Sequence, residues 1–304
     1  MKRLSILAAL LLAWFATAST PAWAKLKVVG STQDLAALAQ AVGGDDINVS
    51  YIARGDLDPH FINAKPSFMV KLASANLLVF MGMDLEIGWL PPLITGARNP
   101  KIQLGAPGYL DASAAIQPIE VPTGTVDRSR GDLHPQGNPH YLLDPDNGRR
   151  VARAIEAKLE LLDPKNAADY QANLAAFEKK LTDKEAEWKT EMAPLKGVKV
   201  IGYHSTFDYL CKVYGMDLVG FVEPRPGIPP TPSHTLQMAQ KAKAQGVKFV
   251  LVEPYHDPRD ASPIARMSSA RVLEVPTEVG GMDGVVTYFD LFDHIVQILT
   301  HPSA

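Results

Sequence analysis

The 304-residue chain has one cysteine, Cys211, so no intrachain disulfide can form and its stability must come from packing. It has no basic run and no interleaving of aromatic with basic residues, and its formal net charge is −3, which argues against a nucleic-acid partner. No stretch approaches the roughly 20 uninterrupted apolar residues that a membrane-spanning helix needs. No repeat of fixed period is present. An H-E-x-x-H motif, the helical signature of many zinc hydrolases, is also missing.

What is present begins with a targeting pattern. Lys2 and Arg3 precede the apolar run Leu4 to Phe15, and Ala22-Trp23-Ala24 follows as an A-x-A cleavage signal. Residues 1–24 are therefore expected to be a cleaved signal peptide, with the mature chain starting near Lys25. Loss of Lys2 and Arg3 takes the formal charge to −5. No cysteine stands near the cleavage site, which speaks against a lipid anchor and for a protein released into a bacterial periplasm. About 280 residues remain, enough for two domains with separate cores. Cys211 reads as a small buried thiol on an apolar helix face.

Short apolar runs alternate with helical patterns along the whole chain. Strands are expected at Lys25–Gly30, Ile47–Ile52, Leu77–Met81 and, more briefly, Lys101–Leu104; later ones are expected at Val198–Tyr203, Leu218–Val222, Phe249–Val252 and Arg271–Val275. Leu77-Leu78-Val79-Phe80-Met81 is apolar on both faces, as in a parallel sheet covered on both sides. Helices are expected at Gln33–Val42, Ser205–Tyr214, His234–Gln245, Ser262–Ser268 and Tyr288–Leu299. After Asp144-Pro145 a helical pattern runs to about Met192, broken near Asp163-Pro164. Its second part, about 40 Å long at 1.5 Å per residue, presents Tyr170, Leu174, Phe177, Leu181 and Trp188 on one face. The fold class is α/β: two similar βα lobes with mostly parallel sheets, joined by one long rigid helix. The expected division is an N-terminal lobe at 25–164, a connecting helix at 165–193 and a C-terminal lobe at 194–304.

Three histidines stand out. His60 and His140 each follow a proline, in Asp58-Pro59-His60 and Asn138-Pro139-His140. Proline fixes its own φ and biases the preceding residue towards extended backbone, so each ring is presented on a stiff segment. His204 ends the apolar run Val198–Tyr203. Open α/β sheets bind ligands beyond the carboxyl ends of their strands, and neutral imidazole suits zinc and other transition metals. Convergence of the three rings on one ion is the expected arrangement. Asp58 and Asp144 either orient imidazoles or are ordinary turn residues.

The segments Gly55-Asp56-Leu57-Asp58-Pro59-His60, Asn138-Pro139-His140-Tyr141-Leu142-Leu143-Asp144-Pro145 and Tyr203-His204-Ser205-Thr206-Phe207-Asp208 resemble the metal-binding proteins of zinc and manganese ABC importers. The resemblance covers essentially the whole mature chain. It implies a periplasmic solute-binding protein that holds its ion in the cleft between the lobes and delivers it to an inner-membrane permease with a cytoplasmic ATPase. Such a protein is a monomer and not an enzyme. The resemblance also implies ligands at His60, His140 and His204, with a carboxylate after the last strand, where Glu278 stands. Glu253, Asp283 or water are the alternatives for that fourth place.

Manganese-binding members tend to carry a carboxylate at the third position. His204 therefore implies Zn2+ as cargo, with Mn2+ the alternative. The loop Gln117–Gly137, His-rich in many zinc-binding members, here offers only His134 with Asp127 and Asp132; His134 is a candidate outer or transient ligand. Rival readings are a solute-binding protein for a metal chelate and a secreted zinc hydrolase. The hydrolase would need an open metal position and a nearby base.

Overall fold

The computed structural model describes residues 24–124, 131 and 133–302, so the signal-peptide expectation, Asp127 and Asp132 fall outside the described residues except for Ala24. Eight strands form two sheets of four, all parallel. The first contains β1 (Leu26–Gly30), β2 (Ile47–Tyr51), β3 (Leu77–Phe80) and β4 (Tyr109–Asp111), in the order β2-β1-β3-β4. The second contains β5 (Lys199–Gly202), β6 (Asp217–Phe221), β7 (Phe249–Val252) and β8 (Arg271–Glu274), in the order β6-β5-β7-β8. The two halves therefore repeat one topology. In each, the winding reverses beside the first strand and opens a crevice at the strand ends, between β1 and β3 and between β5 and β7. The inner strands β3 (LLVF) and β7 (FVLV) are buried along their full length, which explains their unbroken apolar sequence.

The helices are α1 (Gln33–Gly43), α2 (Pro66–Ala73), α3 (Leu90–Ala97), α4 (Pro145–Leu162), α5 (Ala167–Met192), α6 (Asp208–Tyr214), α7 (Pro232–Gln245), α8 (Pro258–Ser268) and α9 (Tyr288–Thr300). The long helix α5 is more than a strut. Its apolar stripe, Tyr170, Phe177, Leu181, Trp188 and Met192, is buried in a single core that also takes in β1, β3, β5 and β7. Trp188 stacks on Phe292 of α9 at 5.0 Å and donates its indole N–H to Asp293 at 2.7 Å, while Asn173 donates to the Val42 carbonyl of α1 at 3.0 Å. Its remaining residues form the charged, solvated face of an amphipathic helix. Two smaller clusters cover the outer faces of the two sheets.

One expected strand is not formed. Residues 101–104 follow a 3-10 turn, Pro100–Ile102, in which the Asn99 side chain accepts from Lys101 N–H at 3.0 Å. This Asx turn curls the segment away from the sheet. Ile102 is buried but Leu104 points to solvent, so the two apolar residues do not share one face as a strand would require, and the sheet takes Tyr109–Asp111 instead. Helix α8 begins four residues before its expected start because Asp257 caps it and Pro258 occupies its first turn. Helix α6 begins later, at Asp208, leaving Ser205–Phe207 as a turn.

Close backbone approaches join the halves. A Cβ on Gly55 would lie 2.1 Å from the Val279 carbonyl oxygen, so only glycine lets the loop carrying His60 lie against the loop carrying Glu278. Gly148 of α4 lies flat under the Tyr288 ring of α9, and the Tyr288 hydroxyl donates to the Leu142 carbonyl at 2.7 Å. No helix among the described residues is long and apolar enough to cross a membrane.

Candidate metal centre

Most groups of interest stand beyond the carboxyl end of a strand. His60 lies in the loop after β2, and His204 lies two residues past β5. Glu223, Glu253 and Glu278 follow β6, β7 and β8 in turn. His140 stands directly before the 3-10 turn Tyr141–Leu143 that leads into α4, fixed by its own backbone N–H donating to Asn138 Oδ1 at 2.9 Å. One nitrogen from each of His60, His140 and His204 lies within 4.8 Å of the other two, and their ring centroids are 5.2–5.3 Å apart.

Two of the rings are oriented from behind by carboxylates. Asp58 Oδ1 lies 2.8 Å from His60 Nδ1 and also accepts the His60 backbone N–H at 2.9 Å. Burial raises the Asp58 carboxyl, but the hydrogen bonds and charge of His60 outweigh it and hold the group below its usual range. Glu223 Oε2 lies 2.9 Å from His204 Nδ1 and accepts Gly227 N–H at 3.1 Å. A carboxylate on Nδ1 fixes the tautomer and turns Nε2 to the centre. Of the two aspartates whose role the sequence left open, Asp58 is the orienting group. Asp144 instead caps α4, accepting Asp146 N–H at 3.0 Å.

Nε2 of His140 and of His204 is buried and makes no hydrogen bond among the described residues. Burial, and then the His60, His204 and His134 rings, hold His140 well below the usual imidazole range, so it is neutral at pH 7 with a free lone pair. His134 sits on the other side of His60. Its Nδ1 lies 2.8 Å from the Met83 carbonyl, and its Nε2 lies 3.3 Å from His60 Nε2. A carbonyl and a carboxylate can only accept, so both Nδ1 atoms must carry protons. The two Nε2 atoms then face each other at 3.3 Å.

Glu278 is buried, with Oε2 unpartnered among the described residues, and it lines a cavity of about 10 Å³ together with His140. It stands outside the group of three imidazoles. Burial, and then Asp34, Asp58 and Glu86, raise its carboxyl well above the usual range. Glu253 is fully buried and neither oxygen makes a well-formed hydrogen bond; burial pushes it up to about 7 against the opposing pull of His204 and the Thr206 hydroxyl. Asp283 is exposed. Two acids lie behind the centre in the first half. Asp34 accepts Val279 N–H at 2.6 Å, and Glu86 accepts from Ser31 Oγ and Met81 N, both at 2.6 Å; burial raises each to about 7. A site so rich in carboxyl groups and lone pairs suits a cation.

Sequence reasoning missed Glu223 as the partner of His204. Its one signal is its place directly after a strand, at the head of the proline-rich segment Glu223–Ser233.

A family model described as "ZnuA: Zinc-uptake complex component A periplasmic" matches residues 28–301. The chain belongs to the ZnuA family. The manganese ABC transporter substrate-binding lipoprotein PsaA of Streptococcus pneumoniae is 27% identical over 262 residues, covering 84% of this chain and 81% of that protein. The iron ABC transporter substrate-binding lipoprotein MtsA of Streptococcus pyogenes serotype M1 is 27% identical over 249 residues, covering 80% and 77%. Among solved structures, a zinc-bound deletion mutant of ZnuA superposes with a TM-score of 0.75 at 25% identity, covering 91% of this chain and 97% of that one. A cadmium-bound periplasmic metal-binding protein of Candidatus Liberibacter asiaticus, at 20% identity and a TM-score of 0.74, shares the ZnuA-like fold. Two parallel α/β halves around a long helix are thus the architecture of this family.

Proposed function

We propose that this chain is an exported, periplasmic solute-binding protein that captures a zinc ion and hands it to an inner-membrane ABC permease driven by a cytoplasmic ATPase. The observation that carries the reading is the convergence of His60, His140 and His204, with two buried Nε2 lone pairs left unsatisfied. Tetrahedral zinc with bonds near 2.0–2.1 Å needs its nitrogens roughly 3.4 Å apart, a small contraction from the spacing seen. Capture proceeds by ligand exchange without a chemical reaction. The imidazoles and a carboxylate replace the ion's water. Residues 25–164 and 194–304 act as the two lobes, with 165–193 as the helix between them.

Three imidazoles favour zinc over manganese, which prefers oxygen donors. Manganese and iron, named for PsaA and MtsA, are the competing cargoes. Glu278 completes the ligand set from the side of His140. Glu253 is the second candidate, because it is fully buried, both its oxygens are unpartnered among the described residues, and His204 acts on its charge.

Competitive titration of the metal-free protein with zinc, manganese and iron(II) tests the cargo; tighter binding of manganese than zinc refutes the assignment. The same titration on Glu278→Ala and Glu253→Ala tests the fourth ligand. If only Glu253→Ala loses affinity, the role passes to Glu253. Turnover of simple esters or peptides by the zinc-loaded protein would replace capture with hydrolysis.

A further inference from the structure

Among the eight histidines, six have a ring nitrogen within hydrogen-bond distance of a partner: His60, His134, His204, His234, His294 and His301. His140 and His256 do not. His140 is accounted for by the centre itself. His256 follows β7 in Glu253-Pro254-Tyr255-His256, a turn closed by its backbone N–H donating to the Glu253 carbonyl at 3.0 Å. Its ring lies on Tyr203 at 4.0 Å and 14°, and the Tyr203 hydroxyl is held by Asp260 at 3.0 Å. The ring thus rests on a fixed shelf without being tied to it. It is partly exposed, and it lines the small cavity of about 10 Å³ whose wall also includes His60, His204 and Glu223. That volume holds one water-sized particle.

We propose that His256 is the entry ligand for the metal: a hydrated ion first exchanges one water for a ring nitrogen of His256 and is then passed inward to His204 and His60. This rests on the metal-capture reading above. His60 and His204 are locked by Asp58 and Glu223 and cannot reach out, whereas His256 can turn about its side-chain bonds. Burial, with the His204 and His60 rings, lowers the His256 pKa against the pull of Glu223 and Asp58, so its lone pair is available at neutral pH. Once an ion is held on His256, the remaining exchanges are intramolecular and gain from effective concentration. Each exchange releases one water for one imidazole, with no change in oxidation state.

The test is stopped-flow loading and chelator-driven release of zinc for the full mature chain. His256→Phe keeps an aromatic ring on Tyr203 but has no lone pair, and its thermal unfolding serves as the folding control. Association and release are both expected to slow by about tenfold or more, the effective-concentration gain being lost, while the equilibrium Kd stays within about twofold. His256→Cys, which loses the stack but regains a metal-binding atom, should recover much of the rate. Wild-type rates in His256→Phe overturn the inference, as does a weaker Kd with an unchanged association rate, which would make His256 a resident ligand. Failure of His256→Cys to recover also overturns it. If the wild-type protein itself does not bind zinc, the capture reading falls first.

Discussion

The two halves share strand order and winding but support the centre in different ways. In the first, the imidazole lock is local: Asp58 and His60 are two residues apart on one turn. In the second it is long-range: Glu223 reaches His204 from the neighbouring strand, 19 residues away. The acids behind the central strands diverge as well. Glu86, after β3, is satisfied by a hydroxyl and two backbone N–H groups, whereas Glu253, after β7, has no well-formed hydrogen bond. The same topology thus provides a rigid, satisfied wall on one side and a frustrated, cation-seeking wall on the other.

The sharpest test of this contrast is removal of the rings. His60→Ala, His140→Ala and His204→Ala should each weaken zinc binding by more than the 10- to 100-fold expected for loss of a supporting group, read by competition with a chromogenic chelator. A ring whose loss leaves affinity intact is not part of the centre. Next come the two buried acids. Glu86→Ala strands the Met81 and Gly82 N–H groups and should cost about 3 kcal/mol in urea unfolding of the metal-free protein. Glu253→Gln should leave that stability unchanged or raise it. Equal losses in both would erase the difference between the walls.

Removing the locks should have a smaller effect. Asp58→Ala and Glu223→Ala are expected to lower zinc affinity about 10- to 100-fold. Asp58→Ala should be the milder, because the turn still presents His60, whereas Glu223→Ala also frees the Gly227 loop. The reverse ranking would show that the local lock dominates.

The smallest effects concern pH. Glu253 titrates near 7 when folded and near 4.5 when unfolded, so the folded chain holds the extra proton between those values. Its contribution to stability is therefore present below about 4.5 and lost as pH rises towards 7. Glu253→Gln should flatten the stability profile of the metal-free protein in that window, and an unchanged slope would contradict the burial argument. Zinc affinity should run the opposite way, weakening as pH falls, because protons compete with the ion for the imidazole nitrogens. Calorimetry in buffers of different ionisation enthalpy would count the protons released, and a count that does not rise as pH falls would contradict that competition.

Much of this protein follows from its linear pattern. Short continuous apolar runs, alternating with helical stripes, specify parallel sheets covered by helices, because only that packing buries both faces of Leu77–Phe80 and Phe249–Val252. Pro59-His60 and Pro139-His140 announce aimed rings, since proline acts within its own few bonds. The false strand at 101–104 marks the limit of such reading: alternation puts Ile102 and Leu104 on one face, but a single Asx turn curls the backbone so that only Ile102 is buried. Tertiary structure alone decided which carboxylate supports His204, that Glu86 is satisfied and Glu253 is not, and that His256 rests unbound beside the centre. Those outcomes depend on distances between segments far apart in the chain, set by the packing of two sheets on one helix, and no local periodicity encodes them.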